Sequence, residues 1–373
     1  MKLEEYLLDI VEGKKKGIIA KIILVLLTIL SSLYRSIIIL RNKLYNWDIK
    51  KSKQLDAKVI SIGNITVGGT GKTPIVQKLA RTLSDKGYKV VVLNRGYKAK
   101  FSGEVGVVSN GKEILMSADE AGDEAYMLAT SLKEIPIIIG SDRAKTGEYA
   151  CAQFEADFII MDDAFQHRQV ARDYDIVVVD ATNPFDNGYL LPRGKLREPL
   201  SGLKRGHFFL LTKVDQVGEN KLKEIKKKLI KINAAAAIIT TKHEPTYLRN
   251  LTNQQRQSID LASEKVLAVS GIGNPKSFED TLKNLGADLV DKIRFADHHD
   301  YTKEEILQIF TQASEKNVDK IITTEKDAVS IDDDLIEEIG LEKINFEVLG
   351  IEIKIIDSQY KFDELIVKLE VAR

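Results

Sequence analysis

The chain has 373 residues, with 55 Lys plus Arg against 55 Asp plus Glu, so its formal net charge is zero. That balance argues against a general nucleic-acid binder, which carries a basic excess, and the length allows roughly two or three domains. The single cysteine, Cys151, excludes an intramolecular disulfide and any cysteine-based zinc site. A reducing, cytosolic setting fits. Its expected place is as a small core residue on the helix that precedes the stretch "DFIIMDD".

The first element in chain order is an apolar helix, "GIIAKIILVLLTILSSLYRSIIIL", Gly17 to Leu40. Lys21 and Arg35 interrupt it and leave an uncharged run shorter than the roughly 18 residues expected of a membrane span. Lys21, Thr28, Arg35 and Asn42 recur every seven residues, with Ser31 and Ser32 nearby, and predict a narrow polar stripe. Basic residues flank the helix on both sides, Lys14 to Lys16 before it and Arg41, Lys43, Lys50, Lys51 and Lys53 after it. Such a helix suits an anionic membrane surface, lying in the plane or inserted shallowly. A spanning helix and a helix buried in protein are the alternatives. No small-residue cleavage site follows, which argues against a signal peptide.

The next stretch, "AKVISIGN", is apolar and β-branched and reads as a buried strand beginning near Ala57. Residues 1 to 45 precede that strand, so the core is expected to fold without them. "TPIVQKLARTLSDKG" follows, with Ile75, Val76, Leu79, Ala80 and Leu83 at helical spacing and Gly87 to close the helix. Further strands are expected at "YKVVVLN", "IPIIIG", "DFIIMDD", "YDIVVVD", "HFFLLTK" and "AAAIITT", with helices between most of them. That alternation predicts an α/β fold with a mostly parallel sheet covered by helices. "GEVGVVSNGKEILM" breaks the pattern, because Asn110-Gly111 between β-like runs signals a hairpin. From about Val266 the alternation restarts with "KVLAVSGIGNP", a helix to Leu285, "LVDKIRF", a helix from Thr302 and "DKIITTEKD". The expected organisation is an N-terminal membrane helix over 1–50, a P-loop domain over 51–260 and a smaller α/β domain over 261–373.

Between the first strand and its helix lies "SIGNITVGGTGKTP", Ser61 to Pro74. Strand, glycine-rich turn and helix start form the arrangement in which backbone N–H groups converge on phosphate oxygens. Gly68, Gly69 and Gly71 let the backbone approach, Lys72 reaches the β/γ-phosphates, and the Thr73 hydroxyl suits Mg²⁺. Thr66 stands where the usual pattern G-x-x-x-x-G-K-[ST] has its first glycine. The loop is nevertheless expected to bind a nucleoside triphosphate. "DFIIMDDAFQHR" ends an apolar strand with Asp162 and Asp163, where carboxylates can hold Mg²⁺ directly or through water. "LLTKVD", Leu210 to Asp215, resembles the way many GTPases read guanine, but no D-x-x-G switch follows Asp163. A partitioning-type ATPase would carry a lysine where Val67 stands. A GTPase switch and a membrane-bound ATPase that moves partners are therefore the alternatives to a kinase.

Seven motifs decide among them: "GNITVGGTGKTP", "NRGY", "GDEAYML", "DDAFQHR", "GYLLPRGKLREPL", "ADHHDY" and "TTEKDAV". In this order they resemble the tetraacyldisaccharide 4'-kinase (lipid A 4'-kinase) family, from about Leu7 to Ile331. The resemblance implies an enzyme that transfers the γ-phosphate of ATP to the 4'-hydroxyl of tetraacyldisaccharide 1-phosphate, forming lipid IVA in lipid A biosynthesis. It implies ATP and Mg²⁺ as cofactors, a lipid substrate at the cytoplasmic face of the bacterial inner membrane, no nucleic acid and no obligate protein partner. It matches Thr66, Val67, Gly68, Gly69, Thr70, Gly71, Lys72 and Thr73 to the nucleotide loop. Asp162 and Asp163 match the acidic pair near Mg²⁺, with Gln166 and His167 beside them as substrate-site residues. Asp123 matches the acidic residue that deprotonates the sugar hydroxyl, and His298 or His299 the histidine that supports it. Arg143, Arg193 and Arg197 match arginines of the substrate site, where guanidinium groups grip phosphate bidentately. Ala125, Ala164 and Ala296 depart from the family pattern at backbone-shaping positions. "TTEKD" matches the family without a role that its residues alone reveal.

Overall fold

The computed structural model describes residues 3–11, 13–251, 255–297, 299–331, 344–357 and 359–371. It opens with helices α1 (Leu3–Val11) and α2 (Ile18–Asn46), then β1 (Lys58–Gly63) and α3 (Lys72–Asp85). There follow β2 (Val90–Asn94), β3 (Gly106–Asn110), the short α4 (Ala118–Ala121), α5 (Asp123–Ser131), β4 (Pro136–Ile139), α6 (Arg143–Phe154) and β5 (Phe158–Asp162). The middle of the chain forms β6 (Tyr174–Asp180), β7 (Phe208–Thr212), α7 (Glu219–Ile232), β8 (Ala237–Asn250) and β9 (Arg256–Gln257). The remainder is β10 (Lys265–Ser270), α8 (Pro275–Asn284), β11 (Asp288–Arg294), α9 (Lys303–Glu315), β12 (Lys320–Thr324), α10 (Glu325–Val329), β13 (Asn345–Ile355) and α11 (Gln359–Val371).

Packing divides the chain into two compact units that interleave in sequence. One takes Met1–Lys72, Asp163–Thr240 and Asp357–Arg373; the other takes Thr73–Asp162 and Thr241–Ile356. The limits expected from sequence, 1–50, 51–260 and 261–373, are continuous stretches by contrast.

In the first unit β1 pairs parallel with β6, β6 with β7, and β7 with the start of β8 through Thr240. All residues of β1 and β7 are buried. Continuous apolar runs of this kind belong to strands covered on both faces. The core gathers Ile65, Phe165, Val177, Phe209 and Leu229, with Tyr34 of α2 packed against it. The end of α11 is tied in by Lys58, whose ammonium donates to the carbonyls of Leu369 and Glu370.

In the second unit β5, β2 and β4 run parallel, and β3 closes the edge antiparallel to β4. The Asn110-Gly111 hairpin is short: one bridge, Ser109 to Ile114, with the Asn110 N–H donating to the Glu113 carbonyl (3.2 Å) and the Leu115 N–H to the Val108 carbonyl (2.7 Å). A second group runs β11, β10, β12, β13, all parallel, with β8 from Thr241 onward antiparallel to β13. Its helices start at the positions that side-chain chemistry sets. Thr302 and Glu305 form a capping box at α9, and Asn274 caps α8 with Pro275 in its first turn. Cys151 sits on α6 as expected, but half-buried and outside the core.

Candidate functional site

In the first unit the chain leaves β1 at Gly63 and turns through Asn64–Gly71 into α3. Gly68 and Gly71 have φ of 110° and 84°, conformations that side chains rarely adopt, so these two glycines shape the turn. Thr66 has no such φ. It forms an antiparallel bridge with Leu196, flanked by the Val67 N–H to Lys195 carbonyl bond (2.8 Å) and the Arg197 N–H to Ile65 carbonyl bond (2.7 Å). An extended residue needs no glycine, which is why threonine serves there. Behind the loop, Asn64 Nδ2 donates to Thr70 Oγ1 (2.8 Å) and Thr212 Oγ1 donates to the Thr70 carbonyl (2.9 Å).

Lys213 completes this brace. It lies in the left-handed region (φ 54°), pairs with Asp180 at 2.6 Å in a buried setting, and reaches the Gly69 carbonyl at 3.4 Å. The lysine of "TKVD" thus serves the loop's backbone, while Asp215 is exposed on a short 3₁₀ turn.

The loop's chemical groups meet at Asp163. Its carboxylate accepts from Arg197 Nη1 through both oxygens at 2.8 Å and lies 3.5 Å from Lys72 Nζ. Burial works against the charged carboxylate, but Lys72 and Arg197 outweigh it and hold the pKa below the usual value. Gln166 donates to the Asn64 carbonyl (2.8 Å) and to Glu198 Oε1 (2.9 Å), so it ties the "DDAFQHR" and "REP" segments to the start of the loop. The His167 carbonyl accepts from Arg172 at 2.7 Å. Arg193 stacks over Tyr189, 4.7 Å from the ring centroid, away from the Asp163 cluster's hydrogen bonds.

Helix α2 clasps the same arginine-bearing segment. Ser31 Oγ donates to the Leu190 carbonyl (2.8 Å), Tyr34 Oη to the Arg197 carbonyl (3.0 Å), and Asn42 Nδ2 to Glu198 (3.4 Å). The expected polar stripe is therefore divided: Ser31 and Asn42 face protein, whereas Lys21 and Arg35 are exposed. Deleting residues 1 to 45, without which the core is expected to fold, would remove these contacts. The exposed face carries Ile18, Ile22, Val25, Ile29, Leu33, Ile37 and Leu40, and the helix is long and apolar enough to cross a membrane.

In the second unit Asp162 closes β5, fully buried, and accepts from Asn94 Nδ2 at 3.0 Å. Asn94 belongs to "NRGY", a motif whose chemistry is not evident from sequence. Arg143, 2% exposed, donates to the Asp162 carbonyl at 3.1 Å, so it fixes the main chain of the acidic pair. Asp123 opens α5 behind Gly122, whose φ is 81° and whose missing Cβ would stand 2.4 Å from the Tyr97 carbonyl. Only glycine brings the "NRGY" segment so near the start of α5.

The "ADHHDY" segment is held by "TTEKD". Tyr301 Oη (3.1 Å), the Gly271 N–H (2.8 Å) and Thr324 Oγ1 (2.7 Å) all donate to the buried Asp327 carboxylate, while Lys326 pairs with Asp297 at 2.6 Å. Burial raises the Asp327 pKa, and these donors only partly offset it. Lys98, beside "NRGY", lies 3.8 Å from Asp300, and α10 packs against α5, the helix that Asp123 begins. His299 is committed within its own segment: Nε2 meets Glu305 at 2.9 Å and the ring stacks on Phe295. His298 lies outside the described residues. These residues of unit two come from segments far apart in sequence, so no spacing rule could have assembled them.

Among the described residues no three His, Cys, Asp or Glu are close enough to hold a metal. Ala125, Ala164 and Ala296 all lack a left-handed φ, so alanine is compatible with the backbone at each.

Comparison with known proteins agrees with this reading. Residues 23–370 match the family model for tetraacyldisaccharide-1-P 4'-kinase. A tetraacyldisaccharide 4'-kinase of Halothermothrix orenii is 43% identical over 95% of both chains, and one of Syntrophus aciditrophicus is 39% identical over 82% of this chain and 84% of its own. The crystal structure of the Aquifex aeolicus enzyme LpxK in complex with ATP matches with a TM-score of 0.71 at 32% identity, covering 91% of this chain and 97% of that one. The chain belongs to the tetraacyldisaccharide 4'-kinase family.

Proposed function

We propose that the protein transfers the γ-phosphate of ATP to the 4'-hydroxyl of a tetraacylated glucosamine disaccharide 1-phosphate, giving lipid IVA. The observation that carries the reading is the Lys72–Asp163–Arg197 cluster at the end of a glycine-shaped loop that opens a helix. With nucleotide bound, Lys72 exchanges Asp163 for phosphate oxygens and offsets charge as the bond breaks. Gly68 to Gly71 supply backbone N–H groups, the Val67 N–H being bound to the Lys195 carbonyl, and Arg197 is released or shared to meet phosphate on the substrate side. Asp123, the first residue of α5, takes the proton of the sugar hydroxyl. His298 or His299 supports that base; the commitment of His299 to Glu305 favours His298 for the task. Arg143 acts through the Asp162 main chain, while Gln166, His167 and Arg193 bound the substrate side.

Thr73, Asp162 and Asp163 fit Mg²⁺ by donor type, since all are oxygen ligands. A site with few protein carboxylates suits an ion that keeps waters and binds through substrate phosphates. Bound there, Mg²⁺ would neutralise charge on the β- and γ-oxygens.

The site works at the cytoplasmic face of the inner membrane, with α2 in the plane of the leaflet. From Ser31 to Tyr45 one face of α2 is occupied by contacts with residues 168 to 198, whereas between Ile18 and Leu30 only Ala20 is buried. At 1.5 Å per residue that stretch reaches about 20 Å, short of the ~30 Å hydrocarbon core. Shallow insertion of the exposed apolar face satisfies both constraints.

The direct test supplies γ-labelled ATP, Mg²⁺ and tetraacyldisaccharide 1-phosphate to the full chain. Label should move to the lipid. Nucleotide hydrolysis without lipid labelling would refute the assignment.

A further inference from the structure

Where α2 runs out, the first unit gathers four guanidinium groups: Arg41, Arg168, Arg172 and Arg205. Two are neutralised locally. Arg172 pairs with Asp175 at 3.1 Å, and Arg205 with the fully buried Glu198 at 2.9 Å. The other two have no carboxylate partner among the described residues. Arg168 donates to the Asn42 carbonyl at 2.9 Å and lies over the Tyr45 ring, 5.0 Å from its centroid. Arg41, next to Asn42 in the chain, holds Nε and Nη2 away from solvent with no acceptor for either. Burial, together with the like charges of Arg205, Arg172 and Arg41, pushes the Arg168 pKa down to about 10. Asp175 opposes that shift only in part, two carboxylates stand against four guanidinium groups, and a desolvated guanidinium without an acceptor is an unfavourable arrangement unless a ligand completes it.

The surroundings indicate what that ligand is. Leu33, Ile37 and Leu40 expose apolar surface along the helix turns that lead to Arg41. Acyl chains lying along that face would bring a headgroup to the arginines. A phosphomonoester supplies two negative charges and the oxygen geometry that guanidinium forks grip. We infer that Arg41 and Arg168 form a binding site for a phosphomonoester carried by a membrane amphiphile. Two sources share this chemistry: the 1-phosphate of the disaccharide substrate and the headgroup of an anionic phospholipid such as phosphatidic acid. The first source rests on the kinase reading above; the site itself does not.

Thermal melting of the full chain tests the site without reference to activity. With ADP saturating the nucleotide loop, glycerol 3-phosphate should raise the Tm of the natural protein. Arg41→Gln and Arg168→Gln should lose that shift, while Arg41→Gln without the probe melts no lower than the natural protein, because an uncompensated charge has gone. If either Gln variant fails to fold, the Lys variants keep the charge and lose the fork, and should bind the probe at least about tenfold more weakly. A probe shift that survives in the variants, or a natural protein that shows none, overturns the site. Turnover in micelles and sedimentation separate the sources. If the substrate is the ligand, removing its 1-phosphate lowers kcat/KM by about tenfold or more in the natural protein and by much less in the variants. If the phospholipid is the ligand, that ratio is unchanged and the variants instead lose preference for phosphatidylcholine vesicles containing phosphatidic acid over pure phosphatidylcholine. Unchanged turnover ratios together with unchanged vesicle preference would reject both sources, and the proposal with them.

Discussion

Asp163 in the first unit and Asp327 in the second both organise their surroundings, by opposite means. Asp163 is partly exposed and held by two cations, Lys72 and Arg197, which keep it ionised. Asp327 is buried and held by three neutral donors, Tyr301, Gly271 and Thr324, against the pull of burial toward its neutral form. Cations can be exchanged when a nucleotide arrives, so the first arrangement suits a site that changes partners. Neutral donors in a dry setting fix a shape, which suits a segment that must present a side chain to another element. The two carboxylates are thus distinguished by what holds them.

The largest effect expected from this contrast falls on Lys72. Lys72→Ala removes the cation that passes from Asp163 to phosphate, and kcat should fall by about a thousandfold or more. Near-normal turnover in labelled-ATP assays would break the assignment of the loop.

Asp123→Ala should cost about 10²- to 10⁴-fold in kcat, the usual range for a general base, while the affinity for ATP stays close to normal. If the base and a histidine of "ADHHDY" act as one unit, combining Asp123→Ala with the responsible His298→Ala or His299→Ala should cost little beyond the single change. Fully multiplicative losses for both histidines would separate them from the base. Because His299 is engaged with Glu305 and Phe295, His299→Ala should also lower Tm.

The contrast between the carboxylates becomes sharpest in pH dependence. The folded-state pKa of Asp163 is depressed, so its contribution to stability is present above the ordinary carboxylate value of about 4 and is lost as pH falls through the folded value. The folded-state pKa of Asp327 is raised, so its favourable contribution is present below about 4 and is lost as pH rises through the folded value. Relative to the natural protein, Asp163→Asn should therefore be penalised more as pH rises through its window. Asp327→Asn should recover ground as pH rises through its own. Denaturant titrations from pH 3 to 7 would show the two trends, and trends of the same sign would refute the distinction. Asp327→Ala should cost about 2–4 kcal/mol, because Tyr301 Oη and the Gly271 N–H lose their buried acceptor.

The glycine-shaped loop between β1 and α3 was legible in sequence because its parts are local. Strand, glycines, Lys72 and Thr73 lie within one short stretch, and backbone geometry follows from residue type. Asp162 and Asp163 were legible for the same reason, at the end of an apolar run. The clasp was not. Asp327, Tyr301, Gly271 and Thr324 become neighbours only through sheet order and helix packing, and "TTEKD" has no helical or strand period to give it away. The brace behind the loop was hidden for another reason. "TKVD" carried a strong association with guanine binding, and nothing in its spacing reveals that Lys213 turns inward to Asp180 and the Gly69 carbonyl. The clasp of α2 was hidden because an apolar helix draws attention to its exposed face, whereas Ser31, Tyr34 and Asn42 are the residues that bind it to the core.

The smallest expected effect tests that brace by contrast with its neighbour. Lys213 and Asp215 stand two residues apart, yet only the lysine is buried and only it touches the nucleotide loop. Lys213→Met leaves Asp180 without its cation in a buried place, a change that commonly costs about 3–5 kcal/mol. Thr182 still donates to Asp180 through its N–H and hydroxyl, which should keep the loss near the lower end of that range. The loosened Gly69 carbonyl should also raise the KM for ATP. Asp215→Asn, by contrast, alters an exposed side chain on a 3₁₀ turn and should leave Tm, kcat and the KM for ATP nearly unchanged. If the Asn variant gains use of xanthine nucleotides, Asp215 reads the base after all, and the loop is serving a different nucleotide from the one its family uses. If it does not, the lysine alone accounts for the presence of this motif at the end of β7.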